Sequence, residues 1–340
     1  MSREKKHADL LQFDGAVNAM THPQAPPRAY ATVPHDYGVS PAPDDMHTEQ
    51  LINTSRAIRE AVAVLSAAGV ASPRVDAEIL TAHVLGLPRS KLALAPDLDP
   101  ARAGRLRDLV AARARRVPLQ HLTGVAPFHH VEVAVGPGVF VPRPETELLV
   151  EWGLGALSGA VLFSPVVVDL CSGSGAIALA VAAARPAATV YAVERDPAAL
   201  EWLRRNASGS NVRVVAGDVT DPGVLADLDG TVDLVLCNPP YVPAGTPVPP
   251  EVAGFDPYPA VFSGEDGLDL IRDLAPRVAR LLRPGGWFGV EHDDTHGEAV
   301  PALLRAEGRF EAIADHRDLA GRPRFATAQR LRTHVTDSSS

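Results

Sequence analysis

The chain has 340 residues, 46% of them hydrophobic and 21% charged, with a formal net charge of −9; this length suggests about two domains. No 18-residue apolar run is present to cross a membrane, and the acidic balance argues against non-specific binding of DNA or RNA. Two cysteines, Cys171 and Cys237, are too few for a disulfide scaffold or a four-Cys zinc site; with no secretory h-region in the first residues, the expected compartment is cytoplasmic.

Residues 1–46 are rich in Pro, His and Asp and poor in aliphatic side chains, so a disordered tail is expected there and again over 333–340. Residues 47–116 read as a helical domain. Ile52, Ile58, Val62 and Leu65 space as one apolar face, segments 77–85 and 106–114 continue the pattern, and Gly69, Pro73 and the prolines near 88 and 96–100 punctuate it. Arg113, Arg115 and Arg116 are expected on a solvated helix face. Over 117–144 the period changes to two at Val131, Val133 and Val135, then Gly136-Pro137-Gly138, then Val139 and Val141. This predicts a β-hairpin turning at the Pro/Gly triplet and linking two domains.

From 145 to 332 strands and helices alternate. Strands are expected over 166–170, 189–193, 212–216, 232–237 and 287–291, helices over 175–184, 197–206, 268–282 and 296–306, and a closing strand pair within 310–332. Such alternation predicts an α/β fold with a doubly wound, mostly parallel sheet and an antiparallel edge.

Four features carry chemistry. Asp169-Leu170-Cys171-Ser172-Gly173-Ser174-Gly175 follows the first strand of that sheet; its glycines let backbone N–H groups approach a ligand in front of a helix N-terminus. The same stretch fits a loose Gly-x-Gly-x-x-Ala dinucleotide fingerprint. Glu194 ends the next strand, where a carboxylate can accept from both hydroxyls of an adenosine ribose, in NAD or in S-adenosylmethionine alike. Gly217-Asp218-Val219 ends the third, at the place of an adenine. Asn238-Pro239-Pro240-Tyr241 follows the fourth. Its prolines stiffen the turn; the Asn238 side-chain oxygen and the Pro239 carbonyl can accept both hydrogens of a substrate –NH2, and Tyr241 offers a flat face to a planar amide or base. Cys171 and Cys237, at the ends of two strands that neighbour each other across the switch point, should both lie near the cofactor. His129-His130 and the His292/His296 pair are not read as metal ligands, and no metal is expected.

Taken together, the glycine loop, Glu194 and the Asn-Pro-Pro-Tyr tetrapeptide resemble the Rossmann-like amino-methyltransferases that use S-adenosylmethionine. Within them the sequence is similar to the HemK/PrmC family, the release-factor glutamine N(5)-methyltransferases. The resemblance rests on Arg116-Val-Pro-Leu-Gln-His-Leu-Thr-Gly124, Val141-Pro-Arg-Pro-Glu-Thr-Glu147, Asn238–Tyr241, Ser263-Gly-Glu-Asp-Gly-Leu268, Arg283-Pro-Gly-Gly286 and Glu291-His292, and runs from about residue 48 to 330.

It implies that Cys171, Ser172, Gly173, Ser174 and Gly175 wrap the methionine part of S-adenosyl-L-methionine, that Glu194 holds its ribose and that Val219 lies against its adenine. It further implies that Asn238 touches cofactor and target, with Pro239, Pro240 and Tyr241 completing a glutamine pocket. Cys171 replaces a glycine and Val219 an aromatic frequent in that family. The implied substrate is the Gly-Gly-Gln glutamine of class-1 peptide chain release factors, recognised partly by the helical domain. The implied enzyme is a cytoplasmic monomer with no stable nucleic-acid or membrane partner. Other readings are glutamine methylation of a ribosomal protein, amino-methylation of a nucleic-acid base and, more remotely, an NAD-dependent oxidoreductase, which leaves Asn238–Tyr241 without a role.

Overall fold

A computed structural model of the chain describes residues 51–158 and 164–332; the tails expected at 1–46 and 333–340 lie outside the described residues. The first elements are helical. α1 (Thr54–Ala67) starts where the Asn53 side chain accepts the Arg56 N–H, and α2 (Pro73–Leu85) runs from a first-turn proline to a left-handed Gly86. α3 (Pro100–Ala114) is capped by Asp99, which accepts from Arg102 N–H, and the short α4 (Leu119–Thr123) ends at a left-handed Gly124. Small residues at the crossings (Ala57, Ala61, Ala77, Ala103) let Leu65, Leu80, Leu98 and Leu106 close into one core. Full burial of each such leucine contributes about 1.5–3 kcal/mol.

Two details differ from the sequence reading. Ile52 precedes α1 and forms an isolated bridge to Leu98, so the buried face of α1 is Thr54, Ala57, Ala61 and Leu65. Arg113 is buried and Arg116 half-buried, and only Arg115 of the three is exposed. Arg113 donates from Nε to Asp76 (2.7 Å), from Nη1 to the Val117 carbonyl and from Nη2 to Glu251 (3.0 Å). Arg116 donates to the other Glu251 oxygen (2.8 Å) and to the Gly69 carbonyl. A helical apolar period registers methylenes and says nothing about a distant carboxylate, which is why these charges read as solvated.

The hairpin also sits one step earlier than expected. β1 (Val125–Phe128) pairs antiparallel with β2 (Val131–Ala134), and His129-His130 form the turn, with His129 at φ +53°. The Gly136–Gly138 triplet instead leads the chain away into an irregular stretch in which Val139 and Val141 are buried. Gly138 is required there by close approach: a Cβ would stand 2.9 Å from Ala198 Cβ.

After α5 (Thr146–Ser158) come β3 (Val166–Leu170), α6 (Ala176–Ala184), β4 (Thr189–Glu194), α7 (Pro197–Ala207), β5 (Val212–Ala216) and β6 (Val232–Cys237). Two short helices, α8 (Pro250–Phe255) and α9 (Tyr258–Val261), precede α10 (Asp269–Leu281), β7 (Leu282–Glu291), α11 (Ala299–Glu307), β8 (Phe310–Arg317) and β9 (Pro323–Arg330). The seven-stranded sheet has the order β5-β4-β3-β6-β7-β9-β8, with β9 antiparallel to both neighbours. This is the expected Rossmann-like α/β arrangement. Both faces are covered, so its central strands are mostly apolar, with Asp169 in β3 and Asp233 in β6 as buried exceptions. Val167, Val190, Leu234 and Leu236 face Leu149, Ile177 and Leu203 of α5–α7, while Val168, Val193, Val235 and Cys237 face Ile271, Leu274, Val300 and Leu304 of α10 and α11. No described helix is long and apolar enough to cross a membrane.

Candidate active site

The strand order reverses between β3 and β6: β3 is followed in sequence by β4 on one side, and β6 lies on the other. Loops leaving adjacent strands there diverge and open a crevice. Register fixes their relation, because Leu170 stands opposite Cys237 in the parallel pair, so the glycine loop and the Asn238 turn leave the sheet from the same level. A cavity of about 400 Å³ fills the crevice, within the range of small-ligand pockets. Its walls include Cys171, Ser172, Gly173 and Ser174, then Glu194, Gly217 and Val219, then Asn238 and Pro240. Gly175, Pro239 and Tyr241 lie outside that lining.

Each piece has a local cause. Cys171, Gly173 and Gly175 all have positive φ (+59°, +53°, +85°), which turns the chain sharply from β3 into α6. At Gly175 a Cβ would come within 2.5 Å of Leu203 Cδ1, whereas at Gly173 it would meet only open space. Glycine is therefore demanded by packing at 175, and by φ and ligand access at 173. Beneath the loop, Asp169 is buried, accepts from Ala178 N–H (3.2 Å) and has a second oxygen without a partner; burial pushes its carboxyl up to about 8. Glu194 accepts from Gly173 N–H (2.9 Å) with one oxygen and from Arg195 and Asp196 N–H (2.8 Å each) with the other. It thereby ties the loops after β3 and β4 together while still lining the cavity, and Oε2, which accepts only the Gly173 N–H, keeps one further acceptor site for a hydroxyl.

On the acceptor side, Asn238 donates from Nδ2 to Thr146 Oγ1 (3.0 Å), at the start of α5. Tyr241 is turned inward. Its hydroxyl donates to Glu291 Oε1 (2.9 Å), and burial raises the phenol well above its usual range. Beside Pro142 and Pro240 of the motif stretches, the cavity wall includes residues the motif reading did not select: Phe128 of the hairpin, Phe140 after it, and Pro257, Pro259 and Ala260 around α9. Arg143 of the Val-Pro-Arg-Pro stretch stacks over Phe140 (4.8 Å to the ring centroid) and pairs with Asp256, which also accepts from Val141 N–H. Arg143 thus fastens the β2–α5 connection to the residue just before Pro257. Only spatial proximity reveals this, because Glu145 and Glu147 lie nearer in sequence than Asp256, the carboxylate that Arg143 pairs with. The cysteines separate as well. Cys171 is half-buried and lines the cavity, whereas Cys237 is fully buried behind it; burial, then the neighbouring Cys171 thiol, drives its pKa far up.

Among the described residues one group, His129, His130 and Glu151, has metal-ligand spacing. It sits at the hairpin turn, where His129 Nε2 is already hydrogen-bonded to Glu151 (2.6 Å), and none of its members lines the cavity.

The donor set fits S-adenosyl-L-methionine: a glycine loop at a helix N-terminus, a carboxylate with acceptor capacity at the next strand end, and an apolar Val219 beyond it. Comparison with known proteins agrees. Residues 56–124 match the model of the PrmC N-terminal domain and residues 144–248 that of the methyltransferase small domain. The release factor glutamine methyltransferase of Mycolicibacterium smegmatis is 52% identical over 275 residues, covering 81% of this chain and 97% of the relative. That of Streptomyces coelicolor is 50% identical over 80% and 96%. A 4-amino-L-phenylalanine/4-methylamino-L-phenylalanine methyltransferase of Streptomyces pristinaespiralis is 40% identical over 75% and 88%. With matches of this extent along both the helical segment and the sheet, the chain belongs to the release factor glutamine methyltransferase family.

Proposed function

We propose that this protein transfers a methyl group from S-adenosyl-L-methionine to the side-chain amide nitrogen of the glutamine in the Gly-Gly-Gln motif of class-1 peptide chain release factors. The observation that carries the reading is the β3–β6 adjacency, which puts a glycine loop suited to the donor and an Asn-Pro-Pro turn suited to an amide into one cavity. Bound there, S-adenosyl-L-methionine supplies an electrophilic methyl group on a sulfonium. Cys171 to Gly175 hold its methionine part, Glu194 its ribose and Val219 its adenine.

Asn238 Oδ1 and the Pro239 carbonyl each accept one hydrogen of the glutamine –NH2, which aims the nitrogen lone pair at the methyl carbon. The same two acceptors stabilise the positive charge that develops on nitrogen. Phe128, Phe140, Pro142 and Pro240 keep water away. Both carboxylates in the lining are committed to backbone N–H groups, Glu194 to three of them and Asp196 to those of Ala198 and Ala199. Neither is placed as a general base, so the surplus proton leaves to solvent after transfer.

Two glycines beside the glutamine let its backbone enter a narrow pocket, and the helices over 54–123 hold the body of the factor. The enzyme acts in the cytoplasm as a monomer. The test uses whole release factor and radiolabelled S-adenosyl-L-methionine, with the Gln→Ala factor as control and a short Gly-Gly-Gln peptide as a much poorer substrate. Asn238→Ala should lower the transfer rate about a hundredfold or more with little change in cofactor affinity. Label in the Gln→Ala control, or only in a ribosomal protein or nucleic acid, rejects the assignment.

A further inference from the structure

The hairpin turn carries a side-chain cluster that methyl transfer leaves without a task. Only His129 and His130 join β1 to β2, because Phe128 pairs with Val131. Two-residue turns favour Gly, Asn or Asp where φ is positive, yet position 129, at φ +53°, is a histidine. The two imidazoles stand with ring centroids 4.2 Å apart. Glu151, on the second turn of α5, reaches them from 22 residues along the chain, with one oxygen 2.6 Å from His129 Nε2. Each of the three residues offers a ligand atom within 4.8 Å of those of the other two. The sequence showed the histidine pair but not this carboxylate, which belongs to another element.

A His–Glu hydrogen bond accounts for part of the cluster only. A carboxylate oxygen accepts, so Nε2 of His129 carries the proton and Nδ1 the free lone pair. That Nδ1 is buried without a hydrogen-bond partner, in a side chain only 5% exposed; such atoms are uncommon. His130 brings a second imidazole to the same spot and is exposed, as is Glu151.

The donor set selects the cation. Two imidazole nitrogens and one carboxylate oxygen suit Zn²⁺ and its late first-row neighbours, whereas Mg²⁺ and Ca²⁺ take oxygen ligands. Ligand atoms around a tetrahedral Zn²⁺ stand about 3.4 Å from one another. The 2.6 Å contact would open and the widest gap close by about 1 Å each, movements within reach of two exposed side chains. Three protein ligands leave the fourth position to water.

We propose that His129, His130 and Glu151 form a site for a divalent cation of the zinc class, which clips the hairpin turn to α5. None of the three lines the cavity, so the site is separate from methyl transfer. Its consequence is mechanical. Phe128, just before the turn, is buried and lines the cavity, and α5 begins at Thr146, which lines it too and accepts from Asn238. The cation adds a bridge between these two parts of the wall.

The test uses the full chain stripped of metal, with Zn²⁺ as the probe and Mg²⁺ as the control. Calorimetry should show one equivalent of Zn²⁺ bound by wild type, weakened about tenfold or more in His130→Ala, Glu151→Gln and His129→Asn. Asparagine tolerates the left-handed conformation, so the last variant separates loss of a ligand from a misfolded turn. At ten times Kd, Zn²⁺ should raise the wild-type Tm by about 2–4 °C and slow amide exchange over residues 125–134. It should do neither in the variants, and Mg²⁺ should do neither in any protein. Co²⁺ in place of Zn²⁺ should give the visible absorption of a tetrahedral site in wild type alone. Zinc binding that survives all three substitutions belongs to other histidines of the chain and overturns the proposal. Absence of a stoichiometric binding event in wild type, or a Mg²⁺ effect equal to that of Zn²⁺, overturns it as well.

Discussion

Removing the Glu251 carboxylate should loosen the wall of the active-site cavity from outside it. Glu251 receives Arg113 Nη2 on one oxygen and Arg116 Nη2 on the other, and its side chain is only 18% exposed. Burial alone would raise its pKa, yet hydrogen bonds from Arg116 and Arg113 hold it below the usual carboxylate range. In Glu251→Ala, Arg113 keeps Asp76 and the Val117 carbonyl, so a wholly unpaired buried charge is not created. What is lost is two charge-assisted hydrogen bonds, one of them to a buried guanidinium, for about 2–4 kcal/mol. In a protein of this size that lowers Tm by about 3–7 °C.

The loss should concentrate in α8 and α9. Helices of six and four residues have little stability of their own, and they lead into Pro257, Pro259 and Ala260 of the cavity wall. Hydrogen exchange should therefore accelerate over residues 250–262 before it does in the sheet, and KM for the protein substrate should rise more than kcat falls. Denaturant unfolding of Glu251→Ala, Arg116→Ala and the double variant gives the coupling directly. Because the group's folded pKa is depressed, its contribution is present at neutral pH and disappears as pH falls through the lowered value, so the variants should converge with wild type in acid. A coupling below about 0.5 kcal/mol, or uniform exchange across the chain, would refute the account.

Three further outcomes follow from the cavity and its floor. Glu194→Ala should weaken S-adenosylhomocysteine binding about ten- to a hundredfold by calorimetry, because it removes both the hydroxyl acceptor and the tie to Gly173 N–H; an unchanged Kd contradicts that role. Asp169, whose carboxyl is held up to about 8 by burial, keeps its proton better folded than unfolded, so it subtracts stability as pH rises from about 4 toward about 8. Asp169→Asn should flatten that part of the urea stability profile, and a slope equal to wild type would show the group is not the cause. Thiol labelling should modify Cys171 and be slowed by S-adenosylhomocysteine, while Cys237 reacts only on unfolding; equal Cys171 rates with and without ligand would displace it from the cavity wall.

The sheet was legible because each of its central strands is a short apolar run bounded by a turn, and because a parallel order follows from the alternation with helices. Motif-bearing loops were legible for a related reason, since glycines and prolines advertise backbone geometry locally. Legibility fails where meaning lies in a partner far along the chain. Arg113 has the spacing of a surface residue, and Asp76 and Glu251, 37 and 138 residues away, make it a buried one. Tyr241 reads as a stacking face until Glu291 claims its hydroxyl. The hairpin turn was misplaced because a Gly-Pro-Gly triplet is a stronger local signal than two histidines, yet it is His129 that adopts the left-handed conformation the turn needs. The stretch 242–262 shows no period because its two short helices are held by side-chain links and by end-to-end bonds such as Val242 N–H to the Val261 carbonyl.

The pairing of Leu170 with Cys237 bears on how such an enzyme diversifies. Donor loop and acceptor turn are anchored on one rung of a ladder, on neighbouring strands about 4.8 Å apart, in the most protected layer of the molecule. The cavity's outer wall differs from piece to piece: the hairpin and the β2–α5 connection are set into the core through Phe128, Val139 and Val141, while α8 and the residue that follows it are attached by the ion pairs of Glu251 and Asp256. Those attachments can be exchanged residue by residue without altering the distance over which the methyl group travels. Selection can thus rewrite the choice of acceptor while the transfer geometry is inherited unchanged.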